Sequence, residues 1–411
     1  MLYFLFEYLK QKFDLIGAGL FHYISFRTAL AVIMSLYITT VFGKSFIKLF
    51  LKYSVKEPIR ALDLGNENIK AQTPTMGGIL IIISILIPTL LLVKIDNPYI
   101  LLMLFTTVEM GLVGFIDDYI KVFKKNKDGL PGKYKIIGQS ICGLVVGLVM
   151  YYHPGIVVKE NIPNTKNLYD KSYNHTEISS QERFNNNTKS LKTNVPFFKN
   201  NQFDYSKLLG TASKHIGPLL FIIAVIIIVI AVSNGANITD GMDGLLAGSA
   251  SIIISTLGVL AYISGNLVFA DYLNIFYIPD SGELMIFAGA FMGATIGFLW
   301  YNTYPAQIFM GDTGSLMIGS IIAVFAIIIR KELLLPILCG VFLIESLSII
   351  IQVLYFKYTK RMYGQGRRIF LMAPLHHHFQ KNGIHESKIV TRFWIIGFML
   401  AVISIVTLKI R

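Results

Sequence analysis

The chain has 411 residues, 54% of them hydrophobic and only 15% charged, with a mean hydropathy of +0.60. Soluble domains carry about 25% charged residues, whereas here apolar runs of about twenty residues recur, each able to cross a ~30 Å hydrocarbon core; this excludes a soluble globular fold and also a β-barrel, which would alternate in short segments. The net charge of +13 is carried by short loops between apolar runs, which fits membrane orientation and an anionic substrate, with no nucleic acid partner.

In chain order, the start "MLYFLFEYLKQKF" is apolar but lacks a basic n-region and a small-residue cleavage site, so no cleavable signal peptide is read there. Spans are predicted near 24–43, 76–93, 99–117, 136–152, 216–233, 244–264, 284–301, 315–329, 333–355 and 392–409. The expected fold is therefore an all-α polytopic integral membrane protein of about ten transmembrane helices. The 44–74 loop holds Lys44, Lys48, Lys52, Lys56, Arg60 and Lys70, and the 118–135 loop holds Lys121, Lys124, Lys125, Lys127, Lys133 and Lys135. The 356–391 loop holds Lys357, Lys360, Arg361, Arg367, Arg368, Lys381 and Lys388. With ten spans these three loops share one side. The positive-inside rule makes that side cytoplasmic and puts both termini outside.

An outer insertion at about 153–213 is polar and rich in Asn, Lys and Ser. Its first part is expected to be flexible, and "VPFFKNNQFDYSKLL" to form a short hairpin. Cys142 and Cys339 lie in apolar runs and read as packing residues without a disulfide. No internal repeat of fixed period is present.

Three carboxylate clusters stand at the ends of predicted spans. In "GFIDDYIK", Asp117 and Asp118 close an oily run. If that helix continues, Asp117, Lys121 and Lys125 share one face at i, i+4 and i+8. Such a face suits a phosphate, with the carboxylate as base or metal ligand; a helix end with interfacial ion pairs reads the same way. In "NGANITDGMDGL", Asn234, Asn237, Asp240 and Asp243 recur every three residues, between glycines that admit a ligand to the backbone. The alternatives are a calcium loop, which lacks the terminal glutamate, and an ordinary Asp/Gly-rich turn. In "NTYPAQIFMGDTGS", Asp312 lies between two glycines, Ser315 is placed to cap the next helix, and Phe309 offers a face to a base or simply packs. Scattered aspartates without a Cys–His pattern favour Mg²⁺ over zinc. In "APLHHHFQ", His376, His377 and His378 point about 100° apart on a helix and cannot readily share an ion. They are placed to touch phosphate or carboxylates, or to form a basic interfacial loop.

Together "TPTMGG", "GFIDDYIK", "NITDGMDGL", "FMGDTGS" and "APLHHHFQ", in this order, resemble the phospho-N-acetylmuramoyl-pentapeptide transferase family, over about residues 20 to 409. That family lies within the polyprenyl-phosphate N-acetylhexosamine-1-phosphate transferase superfamily, and the triple-histidine loop marks its branch. The resemblance implies a single transmembrane transferase domain over 1–411, a bacterial cytoplasmic membrane location with the active site facing the cytoplasm, Mg²⁺ dependence and homodimers. It implies transfer of phospho-N-acetylmuramoyl-pentapeptide from UDP to undecaprenyl phosphate, giving lipid I and UMP. Carried over by position, Asp117, Asp118, Asp312 and His376 would be catalytic, with Asp312 the metal ligand and Asp117 the favoured base. Lys70, Thr75, Asn237, Asp240, Asp243, Asn302, Phe309 and Gln352 would bind the donor, and Lys121, Lys125, Lys133, Asn234 and His377 would lie near phosphates or sugar. The outer insertion looks longer than the family usually carries. Two other readings remain: a sister transferase using a peptide-free UDP-N-acetylhexosamine, and an ion-coupled transporter using Glu109 and Glu345 at membrane depth.

Overall fold

The computed structural model describes residues 1–14, 17–53, 55, 73–126, 128–159, 187–188, 190–197, 202–206 and 213–409. Lys70 and most of the outer insertion lie outside the described residues. Among the described residues fourteen helices follow in order: α1 (Leu2–Phe13), α2 (Ile24–Lys52), α3 (Gly78–Leu92), α4 (Pro98–Phe123), α5 (Gly132–Tyr152), α6 (Ser213–Thr239), α7 (Leu245–Ser264), α8 (Leu267–Leu273), α9 (Leu284–Asn302), α10 (Gly311–Ile328), α11 (Leu335–Leu338), α12 (Gly340–Tyr363), α13 (Leu375–Lys381) and α14 (Glu386–Val406). Among the described residues nine of these are long and apolar enough to cross a membrane, so the chain is a polytopic helical membrane protein.

The tenth expected span, α3, has only 15 residues, or about 22 Å at 1.5 Å per residue. It starts late because the backbone of the stretch before it pairs with the stretch before α10. Phe309 N donates to Pro74 O at 2.8 Å, Gly77 N to Phe309 O at 2.9 Å and Gly78 N to Met310 O at 2.9 Å. Irregular backbone at a membrane boundary is tolerated where its polar groups pair within the protein. The span expected at 333–355 is also displaced. Residues Glu332–Leu334 form a 3₁₀ turn and α11 a single turn, so α12 begins at Gly340 and runs on to Tyr363.

Helix α10 is the axis of the bundle. Every residue from Thr313 to Ile328 is buried, with α4 and α6 packed along it. The α4 contact is close because Gly114 faces the backbone of Asp312, where a methyl group would overlap the Asp312 carbonyl. Helix α4 itself starts cleanly, with Pro98 at its first position and the Asn97 side chain accepting from Tyr99 N at 2.8 Å. Cys142 and Cys339 are free and buried, as expected of packing residues.

At the other end of α10 a short hairpin covers a group of charges. Strand β3 (Lys192–Asn194) pairs with β4 (Gln202–Asp204), so the expected hairpin forms with its first strand just before the quoted stretch and its second within it. A smaller pair joins β1 (Val158–Lys159) to β2 (Asn187–Thr188). Lys331 Nζ donates to Asn194 Oδ1 at 2.6 Å, and Tyr205 OH to Glu332 Oε1 at 3.1 Å. Thr193 Oγ1 donates to Arg330 O at 3.0 Å.

Burial pulls the Lys331 ammonium down to about 7, although Glu332 beside it acts in the opposite direction. The unfolded chain holds that proton to about pH 10.4. Between about pH 7 and 10 the unfolded state therefore binds more protons, and stability rises with pH. Glu332, held up chiefly by burial, works in the opposite sense at lower pH. Thermal unfolding in detergent should show the melting temperature of the wild type climbing from pH 7 to 9, and Lys331→Met flattening that climb. An unchanged slope in the variant would mean that Lys331 is not the titrating group.

Candidate active site

Three carboxylates from two helices meet at one end of the bundle. Asp117 and Asp118 come from the last turns of α4, and Asp312 from the first turn of α10. One oxygen from each lies within 4.8 Å of the others. Three adjacent negative charges repel strongly where water is scarce, and the surrounding groups offset this one by one. Lys121 Nζ lies 2.7 Å from Asp117 Oδ2 and 3.2 Å from Asp312 Oδ2. Lys135 Nζ lies 2.9 Å from Asp117 Oδ1 and 2.5 Å from Asp312 Oδ2. Leu130 N donates to Asp117 Oδ1 at 2.7 Å, and Asn237 Nδ2 to Asp312 Oδ1 at 2.8 Å.

Asp118 has a different set of partners. Its Oδ1 accepts from Asp312 N at 3.0 Å, and its Oδ2 from Thr313 N at 2.9 Å and Thr313 Oγ1 at 2.6 Å. It thus caps α10 from the neighbouring helix, taking free N–H groups at the positive end of the helix dipole. Gly311, at φ +73°, turns the chain into α10 directly beneath this carboxylate, and a side chain there would press on Asp118 Oδ2. Asp118 therefore positions Asp312.

Beside the carboxylates opens a cleft of about 280 Å³ lined by Thr75, Lys121, Asn237, Asp240, Asp243, Asn302, Phe309 and Asp312. All eight were singled out in the sequence, and the fold brings them together. Thr75 is 1% exposed, and among the described residues its Oγ1 has no hydrogen-bond partner. Asp243 and Asn302 shape the rim. Asp243 Oδ2 accepts from Ala306 N at 3.0 Å, while Asn302 Oδ1 accepts from Gly244 N at 3.0 Å and its Nδ2 donates to Ile308 O at 2.8 Å.

His376 stands behind the cleft. It is fully buried, its Nδ1 lies 3.1 Å from Oε2 of the equally buried Glu345, and its ring packs against Gly241 on the cleft wall. His377 Nδ1 lies 3.2 Å from Gln380 Oε1, and His378 Nδ1 accepts from Leu371 N at 3.2 Å, so the three histidines do separate things, as their spacing requires.

Other expectations are corrected. Helix α4 ends at Phe123, and Lys125 is exposed at φ +52°, so it does not continue the Asp117–Lys121 face. The second lysine is Lys135, from the start of α5. Lys133, two residues earlier, is exposed with its Nζ 5.1 Å from the centroid of the Tyr134 ring. Alternation at the helix start was the available signal, since residues two apart cannot face the same way. Asn234 does not line the cleft, and its Nδ2 donates to Gln139 Oε1 at 2.9 Å. Gln352 holds the backbone of Ile369 and Phe370 and does not line the cleft.

The donor set is all oxygen, with three carboxylates and the Thr75 hydroxyl nearby. Among the described residues this group can hold a metal ion, and its chemistry fits a hard divalent cation.

Comparison with known proteins gives concordant results. A model described as glycosyl transferase family 4 matches residues 100–330, and one described as phospho-N-acetylmuramoyl-pentapeptide-transferase signature 1 matches residues 70–82. Curated proteins named phospho-N-acetylmuramoyl-pentapeptide-transferase are similar over 100% of both chains. That of Flavobacterium psychrophilum is 56% identical over 415 residues, that of Parabacteroides distasonis 55% over 429 and that of Flavobacterium johnsoniae 52% over 414.

The cap geometry has a direct consequence for stability. Asp118→Asn turns an amide donor toward an N–H group, leaving a buried group unpaired at a penalty of about 1–3 kcal/mol. Its melting temperature in detergent should fall by several degrees, and further than that of Asp312→Asn. Equal melting temperatures for Asp118→Asn and the wild type would show that Asp118 does not hold α10.

Proposed function

The chain belongs to the phospho-N-acetylmuramoyl-pentapeptide-transferase family, and from that premise we propose that it moves phospho-N-acetylmuramoyl-pentapeptide from its UDP-linked donor to undecaprenyl phosphate, forming lipid I and releasing UMP. The observation that carries this reading is the cluster of three carboxylates and two lysines at the mouth of a cleft lined with amides and one aromatic ring. The cluster lies at helix ends, where a lipid phosphate and a water-soluble nucleotide can meet. The basic residues near it support placing it on the cytoplasmic side of the bacterial inner membrane, with both termini outside. Homodimers, implied by the family likeness, belong to the same proposal.

One phosphoanhydride is exchanged for another. An oxygen of the lipid phosphate forms a bond to the phosphorus that carries the sugar, and the bond from that phosphorus to UMP breaks. The chief barrier is the meeting of two anions. Lys121 and Lys135 hold phosphate oxygens and orient attacker and leaving group in line. Asp117 guides the attacking phosphate and takes up its proton if one is present. Asp118 fixes the start of α10, and Glu345 and His376 brace the Asp240–Gly244 wall. Phe309 offers its ring to the base, and Asn237, Asp240 and Thr75 offer polar groups to the donor. The cation assigned here is Mg²⁺, held chiefly by Asp312 with Asp117 and Asp118 adjacent; when bound it neutralises diphosphate charge.

A transporter would not need this cluster, and Glu345, one of the two carboxylates that reading relied on, is engaged by His376. The peptide-free sister reaction is separated by donor choice. Purified protein with undecaprenyl phosphate and Mg²⁺ should release UMP from UDP-N-acetylmuramoyl-pentapeptide and not from UDP-N-acetylglucosamine; the reverse preference refutes the assignment. In the same assay Lys135→Ala should lose roughly tenfold or more in turnover, the value of a charged hydrogen bond to phosphate. Lys125→Ala and Lys133→Ala should lose far less. Equal losses in all three would remove the distinction drawn between the lysines.

A further inference from the structure

A second cavity, of about 180 Å³, lies behind α13, on the side away from the cleft. Its walls include Val341 and Ile344 of α12, Leu375 and Phe379 of α13, and Phe393 and Ile396 of α14. Ile344 is 43% and Ile396 42% exposed. The cavity is therefore a groove on the outer face of the bundle, the face that spanning helices turn to lipid. One charged residue, Arg392, stands on its wall. Lys388 precedes Arg392 by one helical turn on the same face of α14. Both are exposed, and among the described residues neither side chain has an ion pair or hydrogen bond.

We propose that this groove binds an anionic phospholipid, with one acyl chain between α12, α13 and α14 and the phosphate on Lys388 and Arg392. The apolar groove and its cationic rim match the two ends of such a molecule. A protein partner would need apolar surface without the anionic group. The polyprenyl acceptor is a poorer fit. Its phosphate must reach Lys121 and Lys135, while Lys388 and Arg392 would hold a phosphate on the far side of His376.

The site has a functional consequence. Helix α13 has only seven residues, too few to be stable on its own. Leu375 and Phe379 face the groove, while His376 between them packs against Gly241 of the cleft wall. A chain in the groove supports α13 from behind and so holds the wall that the donor meets.

The test uses the full-length protein in nanodiscs of phosphatidylcholine, with or without phosphatidylglycerol, and reads retained lipid by native mass spectrometry. A basic residue at a membrane surface favours anionic lipid by about fivefold. The wild type should retain phosphatidylglycerol over phosphatidylcholine, and the double variant Lys388→Gln/Arg392→Gln should lose that preference. Lys44→Gln/Lys48→Gln, with the same charge removed from the same end of the bundle, should keep it. Ile344→Trp, or Val341→Phe if the first does not fold, should release the lipid by filling the groove. Phosphatidylglycerol should also lower the donor KM of the wild type and not that of the Lys388→Gln/Arg392→Gln variant. Equal effects of the two double variants would reduce the finding to general surface charge and overturn the site. So would unchanged retention in the groove-filled protein, retention of undecaprenyl phosphate in place of phospholipid, or disulfide cross-linking of Ile396→Cys between two copies across the groove.

Discussion

Three carboxylates held within 4.8 Å at the end of a membrane bundle are the constraint on which the rest of this structure depends. Left alone, they would repel or take up protons. Each compensating group comes from a different part of the chain: Lys121 from α4, Lys135 from α5, Asn237 from α6, and the N–H groups of Asp312 and Thr313 from α10. The close approach of α4 to α10 at Gly114 makes this convergence possible. The bundle is thus assembled around a charge problem whose solution leaves two lysines beside three carboxylates at the cleft.

That surface sits where the chemistry requires it. One substrate is anchored in lipid with its phosphate at the headgroup plane, and the other arrives from water. Helix ends supply charges and N–H groups at that depth, and the hydrogen bonds between Pro74–Gly78 and Phe309–Met310 satisfy the irregular backbone there. At the opposite end Arg330, Lys331 and Glu332, just past the end of α10, are closed over by the β3–β4 hairpin. The described part of the insertion is therefore fastened to the segment that follows α10, at the end opposite the carboxylates.

Much of the fold and of the candidate site was legible in the sequence, and the failures have physical causes. Spans announce themselves by length, and a carboxylate at the end of an apolar run is rare enough to mark Asp117, Asp118 and Asp312. Seven of the eight cleft residues singled out came from three polar stretches whose types suit a nucleotide and a phosphate, and Thr75 came from the family resemblance alone. Helix ends were harder. The lysine assignment assumed that α4 continues, whereas it stops at Phe123, which removes Lys125 and leaves the place to Lys135. Polar side chains at turns also have two uses that composition cannot separate. Gln352 and Asn234 hold the fold, and Asn302 both lines the cleft and ties its rim together. Glu345 looked like a transport charge only because its partner His376 is 31 residues away in sequence.

The central claim is that the carboxylate cluster guides a direct attack by the lipid phosphate and is not itself phosphorylated. That phosphate is already a competent nucleophile, and Asp117, tied to two lysines and to Leu130 N, is a poor one. The direct measurement is rapid-quench detection of UMP from labelled UDP-N-acetylmuramoyl-pentapeptide with Mg²⁺ and enzyme rigorously freed of lipid. With direct attack, no stoichiometric UMP forms until undecaprenyl phosphate is added. A burst of one UMP per site, with label held on Asp117 and discharged by the lipid, would contradict it.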